Sequence, residues 1–241
     1  MARALITGAA SLMAEGIARA LASRGWDFVL TDIDTAGAER VAALLPGNAA
    51  AEVAEMDVTD RDQVTAVVAK AARDHGRIDA LVSCAGGLRG LGIERKPLAE
   101  IPPGDWHRII DTNLKGMMNS VYAVLPVMKE QGGGAIVSIA ASRGLRGGSG
   151  ASHYSAAKAG IILFTQTMVL ECADYGVRIN TIAPGNADAR WKTEAHGTSQ
   201  TPLGKPTSEH DIGGAVAWLL SEDATHVTGA CIDVSGGTTL H

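Results

Sequence analysis

A tyrosine and a lysine four residues apart, Tyr154 and Lys158, open an apolar run in the second half of the chain. Residues at that spacing share one helix face, so an ammonium can sit beside a phenol and hold its ionised form at accessible pH. A phenol tuned in this way exchanges protons with a substrate oxygen. The same spacing is commonplace on solvated helices, where it reads as a half-buried tyrosine and a solvated charge. Two further features add weight: a glycine-bearing turn at Gly8 near the N-terminus, and Asn113 between the turn and the pair.

The elements that must carry these residues alternate regularly. Strand-like apolar runs at 4–7, 28–31, 51–56 and 78–83 are separated by helical patterns at 13–23, 36–45 and 63–74. A long helix at 106–129, a strand at 135–140, a helix at 152–173 and a strand at 177–182 follow, and a helix at 212–220 precedes a strand at 231–234. Such alternation predicts an α/β, doubly wound fold of the Rossmann type, with a seven-stranded parallel sheet flanked on both faces by six helices. Residues 1–241 read as a single domain. Segments 87–104 and 186–207 are rich in Gly, Pro and polar residues and resist regular assignment. Both follow strands, at the carboxyl edge where open α/β sheets bind ligands, so they are expected to wall a substrate pocket.

Composition narrows the class. With 46% apolar and 20% charged residues among 241, the chain can bury a sizeable core. A net charge of −5 gives no electrostatic reason to expect nucleic acid or an anionic membrane as partner. No apolar run of bilayer length is expected, and the N-terminus has no signal-peptide pattern. Cys84, Cys172 and Cys231 are widely spaced without metal-ligand patterning, so they read as reduced thiols and make the cytoplasm the expected compartment. No metal is expected.

The segment Leu5-Ile6-Thr7-Gly8-Ala9-Ala10-Ser11 is a strand feeding a tight turn. The helix after it would aim its amides and positive dipole end at a pyrophosphate. Asp32, at the end of the next strand, can accept hydrogen bonds from both hydroxyls of an adenosine ribose and would repel a 2′-phosphate. That favours NAD over NADP as cofactor. A plainer reading stands beside it, in which Gly8 is only a turn glycine and Asp32 only caps the following helix.

Over residues 5–237 the chain resembles the short-chain dehydrogenase/reductases. The matching stretches are Thr7-Gly8-Ala9-Ala10-Ser11, Asp57-Val58, Ala85-Gly86, Asn113-Leu114, Tyr154-Ser155-Ala156-Ala157-Lys158, Asn180-Thr181-Ile182-Ala183-Pro184-Gly185, Val227-Thr228-Gly229 and Ser235-Gly236-Gly237. The resemblance implies Tyr154 as general acid/base, Lys158 as the group that lowers its pKa and holds the nicotinamide ribose, and Asn113 as keeper of a water relay. It implies a cofactor surface of Gly8, Ser11, Leu12, Met13, Asp32, Asp57, Val58, Ala85, Gly86, Tyr154, Lys158, Pro184, Gly185 and Ala187. It further implies hydride transfer between NAD and a secondary alcohol or ketone, in a homo-oligomer (dimer or tetramer) paired through its two long helices.

One catalytic position departs from that pattern. A hydroxyl that polarises the substrate oxygen is expected thirteen residues before the tyrosine, and counting back from Tyr154 lands on Ala141. Ser142 is adjacent, but if the strand persists its side chain leaves the opposite face. Losing one preorganised donor typically costs ~3–4 kcal/mol, or ~10²–10³ in rate, so the chain is expected to be slow or inactive. An engineered Ser-to-Ala replacement and a natural loss would both leave this sequence.

Leu12 and Ala14 also stand where the family turn has glycines, Ser83-Cys84 where it has two asparagines, and Ala189 near a usual threonine. The glycine-poor turn is similar to that of bacterial enoyl reductases, although those space tyrosine and lysine more widely. Two alternatives therefore stay open: a catalytically silent NAD-binding protein and a reductase of activated double bonds. His153 should point off the Tyr154 face, to a pocket rim or a neighbour. Trp191 is the candidate pocket aromatic, and Arg89, Arg95, Arg143 and Arg146 are either carboxylate partners or solvated charges.

Overall fold

Seven parallel strands form one sheet in the computed structural model, which describes residues 1–185 and 201–239. They are β1 (Arg3–Thr7), β2 (Asp27–Asp32), β3 (Ala51–Glu55), β4 (Ala80–Ser83), β5 (Gly134–Ile139), β6 (Val177–Pro184) and β7 (Cys231–Val234), in the order β3-β2-β1-β4-β5-β6-β7. Chain order reverses between β1 and β4, and there the connections leave the sheet in opposite directions and open a crevice. Thr7 at the end of β1 lies in register with Thr31 of β2 and Ser83 of β4, so the loops after all three strands rise from one level.

The strands read as continuous apolar runs because both faces are covered. Ile6, Leu30, Val82 and Val137 point into a core shared with α1 (Leu12–Ala22), α2 (Thr35–Ala43) and α8 (Glu209–Leu219). Leu5, Val29, Leu81 and Ile136 point the other way, towards α3 (Arg61–His75), α5 (Gly116–Glu130) and α7 (Ser152–Cys172). The expected fold class is borne out.

Helix starts are set by side-chain caps. Ser11 accepts from the Ala14 amide at 3.2 Å, Asp34 from Gly37 at 2.9 Å, and Ser208 and Asp211 form a reciprocal capping box. α1 and α8 approach closely because Gly16 and Gly213 face each other. A Cβ on Gly16 would strike the Glu209 carbonyl, and one on Gly213 would strike the Gly16 carbonyl.

Three expectations need correction. The long helix at 106–129 is two helices, α4 (Pro103–Ile110) and α5, joined by a single π-turn at Asp111–Lys115. A five-residue helix, α6 (Ser142–Arg146), also intervenes after β5, giving eight α-helices among the described residues rather than six. Residues 152–175, which contain α7, are long and apolar enough by length and composition to cross a membrane, contrary to the expectation of no such run. α7 packs against β6, α6 and α4, which accounts for part of its apolar character.

Candidate active site

The turn after β1 is held in its shape by close backbone contacts. Gly8 has φ +68°, and a Cβ there would lie 2.6 Å from Ala85 Cα, so glycine is required on both counts. The Thr7 hydroxyl accepts from the amides of Cys84 and Ala85, each at 3.2 Å, which ties the β1 turn to the β4 turn across the crevice. Ser11 donates to the Gly8 carbonyl at 2.8 Å while capping α1, leaving Leu12 exposed and Met13 partly buried at the helix start. Ala14 is buried, and the close approach of α1 to α8 is made at Gly16.

Asp32 does not cap α2, since Asp34 has that role. Its carboxylate accepts from the Ala10 amide at 2.9 Å and the Asp34 amide at 2.9 Å, which fixes it against the turn while it stays partly exposed. The helix N-terminus, the glycine turn and this carboxylate form a donor and acceptor set that fits the phosphates and adenosine ribose of a nicotinamide dinucleotide.

On the other side of the crevice, Lys158 Nζ donates to the carbonyl of Ile139, the last residue of β5, at 2.8 Å. That bond holds the lysine at the carboxyl rim of the sheet. The ammonium lies 5.7 Å from the Tyr154 ring centroid, so the two residues do share one face of α7. Tyr154 packs beside Ile93, Ile109 and Ala157.

The electrostatics differ from the expected pattern. Burial pushes the Tyr154 phenol up to about 12, and the charges that pull it down are Arg143 and Arg95. Burial also pushes the Lys158 ammonium down to about 8. Desolvation is the larger cause at both groups, outweighing Arg143 and Arg95 at the phenol and Cys84 at the ammonium, an outcome invisible to residue spacing.

The sign of the lysine shift makes a prediction. Between about 8 and its ordinary 10.5 the unfolded chain binds the Lys158 proton and the folded chain does not, so this residue makes stability rise with pH across that window. Relative to Lys158→Met, the native chain should gain on the order of 3 kcal/mol between neutral pH and the top of the window. Denaturant unfolding of both chains at the two ends checks it, and parallel pH curves would show that the lysine titrates normally.

Asn113 lies in the π-turn and is fully buried. Its Oδ1 accepts from the Gly87 amide at 2.7 Å and its Nδ2 donates to the Ile109 carbonyl at 3.1 Å. A Cβ on Gly86 would strike Oδ1, so Gly86 lets the β4 loop close over the asparagine. π-turns of this kind are frequent at functional sites.

β5 ends at Ile139, so the strand does not persist through Ser142. Ala141 is the N-cap residue of α6, extended at φ −166° and ψ 157°, with its methyl group buried and no side-chain cap bond. Ser142 is the first helical residue and is partly buried.

Other expected site residues have local partners. The Asp57 carboxylate accepts from the Thr59 amide and hydroxyl, both at 2.8 Å, and remains exposed. Val58 is buried against Gly116. Pro184 ends β6, and the Gly185 amide donates to the Val234 carbonyl at 3.0 Å. Ala187, Ala189 and Trp191 lie outside the described residues. Cys84 is partly buried, and burial pushes its thiol up to about 11, unlike a nucleophile. His153 turns away from the tyrosine face and packs on Trp106, ring centroids 5.5 Å apart.

Sequence spacing did not reveal Arg95 and Arg143 as neighbours of the phenol. Sequence offered both only as carboxylate partners or solvated charges, and the fold makes them the charges that act on the phenol.

Comparison with known proteins agrees along the whole chain. A family model described as enoyl-(acyl carrier protein) reductase matches residues 8–239. The chain is 33% identical to the 3-oxoacyl-[acyl-carrier-protein] reductase FabG of Thermotoga maritima, over 98% of this chain and 97% of that protein. It is 36% identical to the cis-4-hydroxycyclohexanecarboxylate dehydrogenase of Sinomonas cyclohexanicum, over 98% and 96% of the two chains. The crystal structure of gox2181 superposes with a TM-score of 0.91 at 30% identity, covering 99% of this chain and 95% of that one.

Proposed function

Because the chain belongs to the short-chain dehydrogenase/reductase family, we propose that it is an oxidoreductase that transfers hydride between NAD and a secondary alcohol or its ketone. The observation that carries this reading is the Lys158 bond to Ile139, which anchors the tyrosine–lysine face of α7 at the crevice rim. The activities for which two relatives are named, reduction of a 3-oxoacyl group and oxidation of a hydroxycyclohexanecarboxylate, both interconvert a ketone and a secondary alcohol.

Tyr154 is the general acid/base. As phenolate it takes the alcohol proton when the carbinol carbon loses hydride, and as phenol it returns the proton to the forming alkoxide. NAD supplies the hydride acceptor or, reduced, the donor. Lys158 orients the nicotinamide ribose and stabilises the phenolate, and Asn113 keeps the proton path open behind it. Gly8, Ser11, Leu12 and Met13 take the pyrophosphate, Asp32 the adenosine ribose, Asp57 and Val58 the adenine, and Ala85, Gly86, Pro184, Gly185 and Ala187 the nicotinamide half. Ala141 leaves the substrate oxygen without its hydroxyl donor, so turnover of this chain is slow.

Residues 1–241 act as one NAD-binding domain in the cytoplasm. Met118 and Tyr122 on α5, with Leu163 and Leu170 on α7, stay exposed and supply an apolar face for a homodimer or homotetramer.

Choice of cofactor is directly testable. Like charges ~4 Å apart near a surface repel by ~1–4 kcal/mol, so NADH should bind at least ~10-fold more tightly than NADPH. Asp32→Asn should remove most of that difference, measured by fluorescence titration of both dinucleotides. Equal affinity for the two in the native chain would sink the NAD assignment.

The family model's description favours one second reading, reduction of an activated C=C bond. It predicts NADH consumption with enones and none with ketones.

A further inference from the structure

His153, the second residue of α7 and the neighbour of Tyr154, is fully buried, yet neither of its ring nitrogens has a hydrogen-bond partner. The ring lies against Trp106 of α4, centroids 5.5 Å apart and planes tilted by 49°. A neutral imidazole in such a place leaves one donor and one acceptor unmet, whereas an imidazolium would bury an unpaired charge, which costs far more. The unsatisfied amides and positive dipole end of α7 lie in the same first turn and repel a cation as well. Burial accordingly holds the imidazole below its ordinary 6.5. The turn that carries it is weakly tied. Ala151, the N-cap, makes no side-chain bond, and upstream the Lys96 amide donates to the Gly150 carbonyl at 3.0 Å and Arg143 to the Ser149 carbonyl at 3.4 Å. Packing holds the rest: Ala151 and His153 are buried, and Tyr154 sits among Ile93, Ile109 and Ala157.

Charges on the elements around this turn do little to shelter a proton. Asp105 on α4 favours the imidazolium, but it is already paired with Arg108 at 3.6 Å. Arg143 and Arg146 on α6, with Arg95 and Lys96 on the loop after β4, carry the same sign as an imidazolium. In the π-turn Asp111 is taken up by Lys115 at 2.6 Å, and Glu94 lies 4.0 Å from Lys96. We propose that His153 is a positioning residue for Tyr154: only its neutral ring can stay against Trp106, and protonation releases the first turn of α7 and withdraws the phenol from the crevice. The acid side of physiological pH then switches the site off reversibly, with the uncapped turn as the two-state element. The oxidoreductase reading above supplies what Tyr154 does, and the movement of Tyr154 is observable without it.

The test follows both rings against pH in the full chain. Among its four tryptophans and three tyrosines, Trp106 is assigned in emission by Trp106→Phe, and Tyr154 by Tyr154→Phe in the magnetic resonance spectrum of the chain carrying isotope-labelled tyrosine. Between about pH 8 and about pH 5 the two signals should shift together and reversibly, with a midpoint below 6.5. His153→Phe and His153→Gln should abolish the shift, and Asp105→Asn, which keeps the imidazole, should lower its midpoint. Below 6.5 the unfolded chain binds a proton that the folded chain does not, so stability is complete above that pH and lost as pH falls. Relative to His153→Phe, the native chain's unfolding constant should therefore rise by up to ~10-fold per pH unit on the acid side. A Tyr154 signal that stays still, a shift that survives both His153 variants, or a midpoint unmoved in Asp105→Asn would overturn the inference. NADH titration of the native chain at neutral pH tests the oxidoreductase reading separately, and failure to bind would count against that reading alone.

Discussion

Ala141→Ser is expected to raise turnover of a ketone or secondary alcohol by ~10²–10³-fold, the usual worth of one preorganised donor to a developing oxyanion. Little else should change. Residue 141 is an extended N-cap with no side-chain cap bond, and serine is among the preferred residues there, so the added oxygen should not weaken folding. Steady-state rates at saturating NADH, with unfolding curves for both proteins, check the two halves of this expectation. In the restored chain Tyr154→Phe should return the rate to the starting level or below, because general acid/base catalysis is itself worth ~10²–10⁴. If the serine form turns over no faster, the missing hydroxyl is not what limits this chain, and the silent NAD-binding alternative gains.

The second large effect concerns the turn under the cofactor. Gly8→Ala puts a methyl group into a left-handed backbone position and 2.6 Å from Ala85 Cα. The conformational cost is ~1–2 kcal/mol, and overpacking against backbone adds ~1–3 kcal/mol because no flexible side chain can give way. A total loss near ~3 kcal/mol should be accompanied by loss of NADH binding, since the β1 and β4 turns must separate to admit the methyl. Chemical denaturation measures the first and fluorescence titration the second. Full NADH affinity in a stable alanine variant would show that the contact is not needed.

Most of the sheet was legible because a parallel strand covered on both faces writes itself as a short apolar run, as 78–83 and 135–140 do for β4 and β5. The Tyr154–Lys158 face was legible for the same local reason, a fixed helical repeat. The π-turn at Asn113 was not, because one widened turn scarcely disturbs an apolar pattern running from α4 into α5. Nor was the α1–α8 contact, where Gly16 and Gly213 meet only after folding. The direction of the Tyr154 shift was misjudged because desolvation sets it, outweighing the opposite pull of Arg143 and Arg95, and chain distance does not report burial. For Asp32, sequence offered two roles, and only the placement of Asp34 as the cap decided against one of them.

The position of β1 at the point where strand order reverses has a consequence for synthesis. As the nascent polypeptide leaves the ribosome, β2 can pair with β1 early, but the other edge of β1 has no mate until Ala80 emerges. A translation product halted before that residue exposes an unpaired apolar ladder, the type of edge along which polypeptides stack into aggregates.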